Sequence, residues 1–284
     1  MNTRLCLPTL PALPGLLLGA LGVRKPAASA APLPALDLTV EAVRLDAAHV
    51  AAYRGAFGFR AAVPLSYLYL PVQRAQLALF NHRDFPLRAL GLIHVANDMR
   101  WLGQPDTTRP MTLTVRMADE QQRRSGRHFR LIAQFSQAGQ PVASIASAYL
   151  ARAARPERGA DETVPAAQGA ARVPPTVLQE LPIDTGAGWR YARLSGDYNP
   201  IHLARWSARP FGLAAPIAHG MYLAAHALAI LEQAARAEVR AAQVQFLKPV
   251  PLGTQVTVRR GPGLGTLSVW RDGQCAQQLE AMLD

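Results

Sequence analysis

Tyr191-Ala192-Arg193-Leu194-Ser195-Gly196-Asp197-Tyr198-Asn199-Pro200-Ile201-His202 is the stretch on which the reading of this chain turns. It sets a carboxylate, Asp197, and an imidazole, His202, five residues apart. Gly196 permits a tight backbone beside the carboxylate. Pro200 fixes one dihedral and prevents a regular helix across the pair. The segment is therefore expected to be a rigid loop that presents both side chains to one point. A carboxylate and a histidine converging on one water form an acid/base pair, because imidazole titrates near neutral pH. The spacing alone leaves a plainer alternative open, with Asp197 capping a short helix and His202 on the surface.

Outward from this loop the chain repeats a pattern. Leu45-Asp46, Tyr53 and Gly58 stand at the same spacing as Ile183-Asp184, Tyr191 and Gly196. Further on, Gly91-Leu92-Ile93-His94 is expected to open an apolar helix in the first copy, as Pro216-Ile217-Ala218-His219 does in the second. Each copy then closes in strands around a turn, at Ala138-Gly139-Gln140 and at Asp272-Gly273-Gln274. Thr112-Leu113-Thr114-Val115-Arg116 and Gln255-Val256-Thr257-Val258-Arg259 alternate with the period of half-buried strands. Each half thus needs an antiparallel sheet wrapped around one mainly apolar helix. In the second half that helix is expected from about Ala218 to Ala235, apolar nearly all round and so buried.

The 284 residues are half hydrophobic and 17% charged, as in a globular protein with a proper core. Residues 1–34 read as a docked, partly extended N-terminal arm. Ala28-Ser29-Ala30 resembles a signal-peptidase site, but Pro8, Pro11, Pro14, Arg24 and Lys25 interrupt the apolar stretch before it. Residues 35–152 form the first half. Residues 153–178, rich in Ala, Arg, Pro and Gly, read as a linker, and residues 179–284 form the second half. No segment has the uninterrupted apolar length of a transmembrane helix. Cys6 and Cys275 lie far apart, without metal-type spacing, which suits a reducing, cytoplasmic setting. The formal net charge of +11 suggests an anionic partner. Its longest basic run, around Arg123, Arg124 and Arg127, reads as a hairpin turn with no aromatic interleaving, so no nucleic acid is expected. Gly261-Pro262-Gly263-Leu264-Gly265 also reads as a hairpin turn, since no helix follows to cradle a phosphate.

The central string resembles the hydratase-2 motif of the MaoC-like dehydratase family, Gly-Asp-x-Asn-Pro-(aliphatic)-His. Gly196-Asp197-Tyr198-Asn199-Pro200-Ile201-His202 agrees with it at every defined position. Pro216-Ile217-Ala218-His219-Gly220-Met221 and Phe246-Leu247-Lys248-Pro249-Val250-Pro251-Leu252 are similar to family patterns as well. The resemblance is strong over residues 179–284 and weaker over residues 40–152. It implies an α+β double hotdog, a monomeric pseudo-dimer or a homodimer of such units. It further implies a lyase of fatty acid metabolism, an (R)-specific enoyl-CoA hydratase or 3-hydroxyacyl thioester dehydratase. The partner would be an acyl-CoA or acyl carrier protein thioester, with no cofactor beyond the CoA or phosphopantetheine that the substrate carries, and no metal. Asp197 and His202 would be the acid/base pair. Asn199 would orient the loop or His202, and the Gly220 N–H would stabilise the thioester enolate from a helix N-terminus. The first half departs from the motif, with Gly58-Phe59 where the second has Gly196-Asp197. It is read as catalytically inactive, a wall for the acyl chain, and His94 and His219 as structural. A hotdog thioesterase and a non-catalytic acyl-binding subunit are the alternatives.

Overall fold

The computed structural model describes residues 3–22, 32–152 and 175–284. Most of the expected linker and the Ala28-Ser29-Ala30 site lie outside these residues.

The first half contains β2 (Leu36–Val43), α2 (Ala47–Phe57), α3 (Tyr69–Asn81), β3 (Leu92–Trp101), β4 (Met111–Arg123), β5 (Gly126–Gln137) and β6 (Gln140–Arg152). The second contains β7 (Thr176–Ile183), α4 (Ala187–Ser195), the single turn α5 (Arg205–Ala208), α6 (Gly220–Ala235), β8 (Val239–Phe246), β9 (Thr254–Arg260), β10 (Thr266–Arg271) and β11 (Gln274–Leu283). Within the sheet the first half runs β2-β4-β5-β6-β3 and the second β7-β9-β10-β11-β8. The two orders are the same, because in each half the second strand lies at the edge farthest from the first. The duplication read from the Asp-Tyr-Gly spacing is thus a duplication of topology. The two edge strands β3 and β8 pair antiparallel, Ala96 opposite Gln245 and Arg100 opposite Ala241. The two five-stranded half-sheets therefore form one continuous sheet, to which an N-terminal strand adds an eleventh among the described residues.

The repeated residues do the same work in both halves. Asp46 caps α2 by accepting the N–H groups of Ala48 and His49. Asp184 accepts the Gly186 N–H at the start of α4. Gly58 and Gly196 end α2 and α4 in the left-handed region, with φ of 78° and 80°, where a glycine carries no Cβ penalty. Tyr53 and Tyr191 are both buried, and Phe57 sets its ring edge-on to Tyr191 across the join.

The central helix of the first half is not where the apolar run at Leu92 placed it. Leu92–Trp101 is the strand β3, and α3 precedes it. In β3, Asn97 and Met99 are buried while Asp98 and Arg100 are not, a period of two. α3 packs on β2 and β4, and α6 packs on β7, β8, β10 and β11. α6 spans Gly220–Ala235, close to the expected range, and its Glu232 is fully buried. β7 begins at Thr176, inside the segment read as linker. The described residues of the N-terminal arm are docked and partly extended. β1 (Thr3–Leu7) adds in parallel to β2, and α1 (Leu13–Gly22) follows. No helix among the described residues is long and apolar enough to cross a membrane.

Candidate active site

The Asp197–His202 loop is rigid for identifiable reasons. Gly196 turns the chain out of α4. The Asn199 N–H then donates to Asp197 Oδ1 at 3.2 Å. Asn199 in turn caps a three-residue turn of tight helix, Pro200–His202, by accepting the Ile201 N–H. Below the loop, α4 approaches so closely that a Cβ on Gly188 would lie 1.9 Å from the His202 carbonyl oxygen. Only glycine fits there. The Ile217 N–H donates to the Ile201 carbonyl at 3.1 Å, fastening the loop to the segment that leads into α6.

Asp197 and His202 come together, and His219 joins them. The donor atoms of all three lie within 4.8 Å of one another. His202 is buried, and its Nδ1 lies 2.8 Å from the Ile217 carbonyl oxygen. A carbonyl only accepts, so Nδ1 carries the proton and Nε2 is left as the acceptor. His219 stands immediately before α6, at its N-cap position, and is buried as well. Its Nε2 lies 3.0 Å from the Asp197 main-chain oxygen, and its Nδ1 is buried without a partner. The site thus presents two imidazole acceptors and one carboxylate. The reading of His219 as merely structural does not account for this position. Such a trio is also a donor set of the kind that binds a divalent cation.

The electrostatics suit a neutral base beside an ionised acid. Burial lowers the His202 pKa below the usual imidazole value, partly offset by the Asp197 charge and the Ile217 carbonyl. Burial, with the neighbouring His202, pushes His219 down to about 3. Burial works against ionisation of Asp197. Interaction with the His219 and His202 rings, whose protonation the carboxylate favours, together with the Asn199 N–H and the Gln73 amide, outweighs it and holds the carboxyl below its usual range.

Gln73 belongs to α3, so the first half reaches the Asp197–His202 loop, as its sequence did not announce. A cavity of about 690 Å³ contains the trio, a size typical of small-molecule sites. First-half residues Tyr69, Gln73, Leu77, Phe80, His94 and Tyr149 line it. The first half lines the cavity with apolar Leu77 and Phe80 and with polar Gln73 and His94. His94 stacks between Tyr69 and Tyr149, and burial pushes it down to about 4. Among the described residues, Gln73 Oε1, His94 Nε2, His219 Nδ1 and Gln277 Oε1 are buried without partners, and all four residues line this cavity. Buried polar atoms without protein partners are what a bound polar group satisfies. Phe59, at the motif position in the first half, is buried against Tyr53 and Phe57 and does not line the cavity.

Gly220 is the first residue of α6, where a main-chain N–H has no acceptor within the helix. It lines the cavity, and a Cβ there would come within 2.8 Å of the Phe246 ring.

Comparison with known proteins agrees with this geometry. Residues 167–260 match the model of the MaoC like domain. The chain is 32% identical over 237 residues to 3-hydroxyacyl-thioester dehydratase X of Mycobacterium tuberculosis (strain ATCC 25618 / H37Rv), covering 81% of this chain and 82% of the relative. The chain belongs to the MaoC-like dehydratase family. The crystal structure of HtdX from Mycobacterium tuberculosis superposes with a TM-score of 0.72 at 28% identity, covering 86% of this chain and 98% of that one. A MaoC-like dehydratase from Phytophthora capsici shares the fold, with a TM-score of 0.67 at 17% identity over 88% of this chain and 96% of its own. As a MaoC-like dehydratase the protein is a hydro-lyase on a double hotdog.

Proposed function

We propose that the protein interconverts trans-2-enoyl and (R)-3-hydroxyacyl thioesters, with Asp197 and His202 as the acid/base pair. One observation carries this reading. The free acceptor of His202, its Nε2, and the Asp197 carboxylate belong to one cavity, where a single water is able to donate to both. The name of the Mycobacterium tuberculosis relative supports the thioester class. In hydration, His202 Nε2 takes a proton from the water as its oxygen bonds to C3. Asp197 holds that water and relays the proton taken by His202 to C2, so one H and one OH are added and both side chains end as they began. Charge gathers on the thioester oxygen as an enolate. The Gly220 N–H at the α6 N-terminus is the group that stabilises it. Dehydration reverses each step. Asn199 acts on the loop, by capping the turn that carries His202.

The chemistry asks for no cofactor beyond the CoA or phosphopantetheine of the substrate. The β3–β8 pairing supplies within one chain the contact that two copies would otherwise make, which supports a monomeric pseudo-dimer. Two free thiols suit a reducing, cytoplasmic setting.

The test mixes purified protein with crotonyl-CoA and follows enoyl absorbance and free thiol together. Loss of enoyl absorbance without thiol release is the expected result. Thiol release would make the protein a thioesterase, and no change in either would leave an acyl-binding subunit.

A further inference from the structure

The N-terminal arm is built into the cavity. α1 lies along α3, and both run in the same direction. The Arg74 Nε–H donates to the Pro11 carbonyl at 2.5 Å, and the Asn81 Nδ2–H to the Leu16 carbonyl at 2.7 Å. The earlier residue of α3 thus holds the earlier residue of the arm. Each helix turns one face to the cavity at helical spacing. On α1 that face is Leu13, Leu17 and Ala20, and on α3 it is Gln73, Leu77 and Phe80. Both series begin at the catalytic loop. Gln73 lines the cavity with Asp197, whose carboxyl its amide helps hold below the usual range, and Leu13 sits so close to Gly196 that a Cβ there would be 2.7 Å from its Cδ1. From that end the two series run for seven residues, roughly 10 Å at the helical rise. Arg74 also lines the cavity, its guanidinium tied to the Pro11 and Leu10 carbonyls, and beyond it the trough is apolar, bordered by Leu77 and Phe80 on α3 and by Leu17 and Ala20 on α1.

Resting on the hydratase reading of the site, we propose that α1 is the acyl-chain gauge of this enzyme. The alkyl tail of the thioester lies between α1 and α3, its reactive end at Asp197, and Leu17 and Ala20 bound the length of chain accepted. The occupant follows from what the trough offers. It is apolar on both sides, and it starts where the α,β-carbons must lie. Leu18, on the other face of α1, is 70% exposed, so the helix has a substrate side and a solvent side.

The test uses the full chain and its Ala20→Trp and Leu18→Trp variants. It measures kcat/KM on crotonyl-CoA and on trans-2-dodecenoyl-CoA, and binding of the unreactive dodecanoyl-CoA and acetyl-CoA by calorimetry. Ala20→Trp is expected to lower the long-to-short ratio of kcat/KM more than about tenfold, the worth of roughly two buried methylenes. The binding ratio should fall with it. Leu18→Trp should leave both ratios unchanged. Equal loss on both substrates with Ala20→Trp would overturn the proposal, since α1 would then contact the part common to both or merely support the fold. An unchanged ratio would overturn it too. Selective loss of dodecanoyl-CoA binding without hydration in any form would refute the hydratase reading while leaving the trough as an acyl site.

Discussion

The imidazoles of His202 and His219 lie nearly parallel, with ring centroids 3.7 Å apart. Two imidazolium ions cannot share that space cheaply, and burial already disfavours either one. His202 therefore stays neutral, and competent as a base, below the pH at which a free imidazole protonates. The sign is that of a depressed base: activity is present above its pKa and lost as pH falls through it. The acid limb of kcat/KM on an enoyl thioester should fall below about 6.5, the ordinary imidazole value. In Asp197→Asn it should move lower still, because the Asp197 charge is what raises His202. An acid limb above the ordinary value would remove His202 as the base.

Loss of either member of the pair should cost far more than a shift in profile. Asp197→Asn and His202→Ala are each expected to lower kcat by roughly a hundredfold or more, the usual scale for a lost acid or base group. Both should keep the thermal unfolding transition. Steady-state turnover of crotonyl-CoA decides it, and undiminished kcat in either variant would contradict the assignment.

Gly220 separates two explanations of one missing side chain. A methyl group there meets the Phe246 ring at 2.8 Å, and it would also stand where the thioester oxygen approaches the N–H. Gly220→Ala should lower kcat by about tenfold or more. Adding Phe246→Leu relieves the packing clash alone. The double variant should regain thermal stability but not kcat. Recovery of both would leave Gly220 a packing residue.

What the sequence disclosed was local. Asp197, Asn199 and His202 fall within one loop whose turns are set by Gly196 and Pro200, so their convergence could be read from spacing. The duplicated Asp-Tyr-Gly pattern was legible because its aspartates and glycines begin and end helices, and its tyrosines are core. The first-half helix was harder. α3 interrupts its apolar face with Gln73 and Gln76 and carries Pro71 in its first turn. The smoother run at Leu92 drew the assignment instead, though it is a strand. His219, Gln73 and His94 reach the site from elements far from the loop in sequence, and only the fold brings them there. Gln73 did leave a trace, as a polar side chain on the apolar face of a buried helix.

Glu232 left a similar trace, a lone carboxylate on α6. Fully buried, it accepts the Arg60 and Ala61 N–H groups at 2.9 and 3.1 Å and the Val239 N–H at 3.0 Å. It thereby ties the second-half helix to the first half. Glu232→Ala leaves three main-chain donors unpaired, at about 1–3 kcal/mol each where water cannot reach them. A loss of roughly 3–5 kcal/mol in urea-unfolding free energy is expected. A loss under about 1 kcal/mol would mean that water or a shifted chain replaces the carboxylate.

The last prediction concerns the positive charge. β6 ends at Arg152 and β8 at Phe246, and both pair with the beginning of β3, Ala151 opposite Leu92 and Gln245 opposite Ala96. Arg152 and Lys248 therefore lie toward the same end of the sheet. Both line the cavity, and both are exposed. That is where the phosphates of CoA, or an acidic carrier surface, would meet charge on the way in. Arginine grips phosphate through two parallel N–H groups, and lysine acts as a point charge. Attraction between exposed charges is screened over about 8 Å at physiological ionic strength and over less at higher salt. Raising salt from about 0.05 to about 0.5 M should therefore raise KM clearly for a CoA thioester. It should matter little for a short uncharged thioester of the same acyl group, which lacks the anionic handle. Lys248→Glu should raise KM for the CoA thioester at low salt and flatten its salt response, with kcat little changed. Equal salt responses for the two substrates would show that the cavity's cations play no part in docking.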